Sequence, residues 1–118
     1  MEQKDSLYIL WTTDNLLTSQ HMVFIYANDC LRNQRWQQVH IIVWGASVML
    51  LCQDKTMQNE LRKFHALGGK ILVCRRFAEK LGLLPRLQAM RETIDMDIDY
   101  LAESFTDILK SKETLIII

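Results

Sequence analysis

The chain has 118 residues, 49% of them hydrophobic, and its 14 Lys and Arg balance 14 Asp and Glu to a formal net charge of zero. That length holds one domain of ordinary size, here 1–118, with a core that needs no metal or disulfide support, and one Pro with four Gly excludes a linker-rich or low-complexity chain. Zero net charge excludes nucleic acid as the dominant partner, because neutralising phosphates needs a basic excess.

Short apolar runs alternate with longer amphipathic ones. The opening Met1-Glu2-Gln3-Lys4-Asp5-Ser6 is polar and mixed in charge, unlike a signal peptide. Leu7-Tyr8-Ile9-Leu10-Trp11 reads as a strand buried on both faces. From about Thr18 to Asn33 the pattern is helical, with Val23, Ala27, Cys30 and Leu31 on one stripe. Val39 to Trp44 is a β-branched second strand stopped by Gly45. The apolar run Val48-Met49-Leu50-Leu51 follows, where a loop would be polar. It reads either as an interface between copies, together with Trp44, or as a short internal helix. Asp54 caps a helix carrying Met57, Leu61, Phe64 and Leu67, and Gly68-Gly69 ends it.

Lys70 to Cys74 is the third strand, followed by a helical stretch up to Leu81-Gly82. Pro85 suits the first turn of a short helix covering Arg86 to Met90, and Thr93 to Met96 reads as a brief fourth strand. Ile98, Leu101, Ala102, Phe105, Ile108 and Leu109 form a helical stripe with an acidic start and a basic end, the orientation the helix dipole favours. Leu115 to Ile118 is a final strand whose lack of alternation predicts cover on both faces. The most apolar stretch, Ile41 to Cys52, falls short of the ~20 residues that span a bilayer, so no membrane partner is expected.

Strands alternating with helices predict an α/β fold: a three-layer α/β/α sandwich on a mainly parallel five-stranded sheet, joined by right-handed crossovers. In such folds ligands bind beyond the carboxyl ends of the strands. Those ends are Thr12-Thr13-Asp14, Gly45-Ala46-Ser47, Cys74-Arg75-Arg76 and Met96-Asp97.

Three cysteines, Cys30, Cys52 and Cys74, form no C-x-x-C pair. Neither a zinc site nor a secreted disulfide framework is expected, and a reducing cytoplasm fits. Cys30 sits on an apolar helical stripe and reads as core, and packing is the default for Cys52. Cys74 closes the third strand, before a helix start and two arginines, a setting that favours the nucleophilic thiolate; the competing reading is a small buried hydrophobe. Arg75 and Arg76 would hold an anion, with Thr13, Asp14, Gly45 and Ser47 completing the cleft. The acidic run Asp95-Met96-Asp97-Ile98-Asp99 lacks the glycine and distal Glu of an EF-hand loop, and no metal is assigned to it. His21, His40 and His65 have no H-E-x-x-H context. P-loop, dinucleotide and esterase-elbow motifs are absent, Cys74 stands where a receiver domain would carry Asp, and no cofactor is implied.

The polar loop after the first strand, Trp44-Gly45 closing the second, and Gly69-Lys70-Ile71-Leu72-Val73-Cys74 followed by Ala78-Glu79-Lys80-Leu81-Gly82 resemble the DsrE/DsrF-like family. The resemblance runs roughly from Leu7 to Ile118 and departs from relay members in placing Arg75 and Arg76 after the cysteine. It implies a five-stranded parallel sheet, assembly into trimers or hexamers and, in sulfur-relay members, a persulfide on the cysteine after the third strand. Cys74 matches that position. Two functions follow as expectations. In one, Cys74 carries sulfane sulfur from a donor to an acceptor protein. In the other, the chain is a non-catalytic DsrE-like module that binds a small ligand or builds an oligomer. Exposure of Cys74 discriminates them, since a buried thiol favours the second.

Overall fold

The structure, a computed structural model, describes residues 5–118. Five strands, β1 (Ser6–Trp11), β2 (Gln38–Val43), β3 (Lys70–Cys74), β4 (Asp97–Asp99) and β5 (Thr114–Ile117), pair in parallel in the order β4-β3-β2-β1-β5. Successive side chains of a strand point to opposite faces. Leu7, Ile9 and Trp11 therefore share one face with Val39, Ile41, Val43, Ile71 and Val73, while Tyr8, Leu10, His40, Ile42, Leu72 and Cys74 share the other.

Six helices cover the two faces unequally. Helix α1 runs from 16 to 32 as Leu16–Thr18, a π-helical stretch Ser19–Phe24, and Ile25–Arg32. It is followed by α2 (Ala46–Gln53), α3 (Lys55–Ala66), α4 (Arg75–Leu81), α5 (Leu84–Met90) and α6 (Leu101–Ser111). The buried residues of α1 to α5, among them Phe24, Leu51, Phe64, Ala78 and Leu87, form one core with Ile9, Trp11, Ile41 and Val73. Among the described residues α6 lies on the opposite face, setting Leu101, Phe105 and Ile108 against Leu10, Ile42 and Cys74, with Phe77 of α4 reaching the same cluster. A helix is about 10 Å across and five strands span roughly 20 Å, so one helix leaves part of that face open.

Local chemistry explains the element ends. Asp54 caps α3 as expected, its Oδ1 accepting the Met57 N–H at 2.9 Å. After α3 the chain must turn tightly into β3, and a Cβ on Gly69 would lie 2.4 Å from the buried Phe64 ring, so only glycine fits there. The apolar run after β2 resolves as internal helix: Val48 and Leu51 are fully buried in α2, and Met49 and Leu50 are half-buried. Trp44 packs edge-on against Phe105 with ring centroids 5.3 Å apart.

Two expectations are corrected. The fourth strand is Asp97–Asp99, not the residues around Thr93 to Met96, because its exposed aspartates alternate with the buried Ile98 as an edge strand allows. The strand-end position there passes from Met96-Asp97 to Asp99-Tyr100. Strand β5 pairs with β1 but forms the other edge of the sheet, and Ile117 is 67% exposed. It has no strand on its outer side; Leu115 packs with the α6 cluster and Ile116 with the main core, so both faces are covered only in part and Ile117 is left exposed. Among the described residues no helix is long and apolar enough to cross a membrane.

Candidate functional site

From β1 to β4 the chain steps in one direction across the sheet, and β5 returns to the other side of β1. The crevice between the carboxyl ends of β1 and β5 is therefore the switch point where such folds seat ligands. Here the chain's own backbone fills it. The Ile118 carbonyl accepts the Thr12 N–H at 2.7 Å, the Thr12 hydroxyl at 3.1 Å and the Thr13 N–H at 3.4 Å.

The neighbouring loop is tied down in the same way. Gly45 adopts φ +93°, and even its missing Cβ would stand 3.4 Å from the Thr12 carbonyl, so the β2 loop closes on the β1 loop. The Ser47 N–H donates to the Thr12 carbonyl at 3.2 Å, while its buried hydroxyl donates to the carbonyls of Trp11 and Trp44. Thr13 Oγ1 accepts the Asn15 N–H at 3.1 Å, and Asn15 Oδ1 caps α1 through the Thr18 N–H at 2.8 Å. Asp14 is exposed. Gly45 and Ser47 are thus brought together with Thr12, as a strut joining the ends of β1 and β2.

Cys74 lies elsewhere. It is 4% exposed and packs with Leu10, Ile42 and Leu101 under α6, whereas Ser47 opens a helix on the opposite face. Arg75 turns away from it: Nε donates to Glu79 at 3.3 Å and the guanidinium sits 5.8 Å from the centre of the Tyr100 ring. The Tyr100 hydroxyl in turn donates to Glu79 at 3.0 Å, and Arg76 is exposed. Burial pushes the Cys30 thiol up and the Cys52 thiol up to about 11, which keeps both protonated at neutral pH.

The open space lies at the amino ends of β2, β3 and β4, where α6 leaves the sheet uncovered. A cavity of about 480 Å³ sits there on a floor of Tyr8, His40, Ile42 and Leu72, with Ile108 of α6 as one wall. Its polar rim carries His65, Lys70, Asp95, Asp97, Ser104 and Asp107. Tyr8 and His40 stack at 4.3 Å with their planes 16° apart. Burial, and secondarily Lys70, holds His40 below the usual imidazole range, so the ring is neutral at pH 7. Burial also raises the Tyr8 phenol. Among the described residues no group of His, Cys, Asp or Glu is arranged to hold a metal ion.

Sequence reasoning missed this cavity because it followed the carboxyl ends of the strands. A signal was present: Tyr8 and His40 each interrupt an apolar strand at positions that share one face.

No family model matches the chain, and no curated protein does. Among solved structures, a conserved protein of unknown function from Bacteroides thetaiotaomicron superposes with a TM-score of 0.90 at 32% identity, covering 97% of this chain and 95% of that one.

Proposed function

The chain belongs to the same family as this conserved Bacteroides protein, and from its own residues we propose that it is a non-catalytic small-ligand-binding protein rather than a persulfide carrier. The observation that carries this reading is the position of solvent access: it leads to the cavity beside α6 and not to Cys74, which is 4% exposed. A sulfur relay needs a thiolate that donor and acceptor sulfurs can approach in turn. The arginine beside Cys74 is engaged by Glu79 and Tyr100, and the hydroxyl of Ser47 is spent on backbone carbonyls.

The homo-oligomer, trimer or hexamer, that the family resemblance implies is kept in this reading. Its contact is assigned to the outer face of α1, where Leu17, Met22 and Ile25 are 69, 55 and 52% exposed, since clustered exposed apolar side chains mark association surfaces. Sedimentation is expected to show self-association that Ile25→Lys weakens, and a monomer at high concentration would remove that contact.

Intact mass after incubation with polysulfide tests the main point. Wild type and Cys74→Ser are expected to behave alike, with no sulfur retained at position 74. A gain of one sulfur atom per chain, lost in Cys74→Ser, would establish the persulfide carrier instead.

A further inference from the structure

We propose that the cavity beside α6 receives a flat aromatic cation, whose ring stacks on His40 and whose positive group faces Asp95, Asp97 and Asp107. The inference rests on the small-ligand reading and names the ligand class.

The ring seat follows from strand register. Tyr8, His40 and Lys70 are aligned across β1, β2 and β3 and share the α6 face. The Tyr8 and His40 centroids are 4.3 Å apart with nearly parallel planes, close to the ~4.8 Å spacing of neighbouring strands. The two rings therefore stack in the direction that leads from β1 to β3. The next place in that row belongs to Lys70, whose exposed side chain carries no ring, and the cavity opens there above Leu72. A planar ligand laid on the free side of His40 continues the row, with Ile42 and Leu72 beneath it and Ile108 beside it.

Charge selects among planar ligands. The rim carries three aspartates and one lysine. None of those aspartates is among the ion-paired carboxylates of the described residues, which are Asp29, Glu60 and Glu79. The aspartates do not converge as metal ligands, so a bare divalent ion does not fit. A cation attached to an aromatic body does, because its charge reaches the rim while its ring stays on the floor. Neutral His40 adds no opposing charge at pH 7.

Binding is tested by isothermal titration and saturation-transfer NMR on the full chain with tryptamine, indole-3-acetate and butylamine. These probes carry, respectively, the ring with a cation, the ring with an anion, and the cation alone. Tryptamine is expected to bind, and the other two to bind several-fold more weakly or not at all. Asp107→Asn, an exposed change that leaves the core intact, is expected to weaken tryptamine several-fold, and His40→Ala to abolish it. Folding of the His40 variant is checked by circular dichroism, and Asp107→Asn carries the test if that variant does not fold. Tryptamine binding unchanged in Asp107→Asn overturns the proposal. Indole-3-acetate binding best and depending on His40 overturns the charge assignment while the small-ligand reading stands. Failure of all three probes overturns both.

Discussion

The guanidinium of Arg75 lies 5.8 Å from the centre of the Tyr100 ring while its Nε is 3.3 Å from Glu79, so the cation next in sequence to Cys74 is committed to the protein surface. Cys74 itself points inward beneath Leu101. Adjacency in sequence has not become adjacency in space.

Thiol labelling checks the consequence. In the folded protein at neutral pH, all three cysteines are expected to react with an alkylating probe far more slowly than in denaturant, since all are buried. Burial pushes the Cys52 thiol up to about 11, so it stays protonated at neutral pH. Peptide mapping that finds rapid native labelling at Cys74 would contradict the closed packing under α6.

His40 makes stability depend on pH. Burial holds its folded-state pKa below the ordinary 6.5, so the unfolded chain takes up the proton first. Its contribution is fully present above 6.5 and is lost as the pH falls through the lower folded-state value. Urea midpoints measured across that range are expected to fall less steeply for His40→Phe, which keeps a ring beside Tyr8 and removes the titration. Equal slopes for the two proteins would show that His40 titrates as a solvated group.

Gly69→Ala is expected to destabilise by about 1–3 kcal/mol, the usual cost of overpacking, because its methyl group meets the fully buried Phe64 ring. The double change with Phe64→Leu should recover part of that loss. Additive effects in a double-mutant cycle would place the strain elsewhere.

On β5, Ile116 packs against the main core and Ile117 is 67% exposed at the sheet edge. Ile116→Ala is expected to cost about 1–2 kcal/mol, below the range for fully buried isoleucine, and Ile117→Lys to stay within about 0.5 kcal/mol. Denaturation midpoints that reverse this order would put Ile117 inside a partner interface.

How much of this was legible in the sequence depended on whether a signal was local. Apolar strands, the Asp54 cap and the glycine stop after α3 depend on neighbouring residues, and each lies where the pattern puts it. The brief fourth strand was displaced, because Asp97 and Asp99 have poor strand propensity and only the edge position beside β3 tolerates them. The continuous apolar run of β5 gave no hint that Leu115 would be packed and Ile117 left exposed on the same face at the sheet edge. The candidate cleft was placed by a fold-level rule, and what fills it, the Ile118 carbonyl against Thr12, is a contact between residues 106 apart that periodicity does not encode. The stacked Tyr8 and His40 depended on register across two strands, which became fixed only with the sheet.

That long-range contact also bears on how the chain folds. Strands β1 to β4 join in sequence order, each crossover closing a loop of modest length, whereas β5 must return to β1 across the whole intervening chain. Closing so large a loop is entropically late, and its reward is one edge pairing. Strand β5, with α6 leading into it, is therefore expected to dock last and open first. Native-state hydrogen exchange is expected to release the amides of β5 at lower free energy than those of β2, which is paired on both sides. Because α6 both walls the cavity and leads into β5, such an opening would widen the cavity without unfolding the main core, giving the ligand proposed above a route in and out.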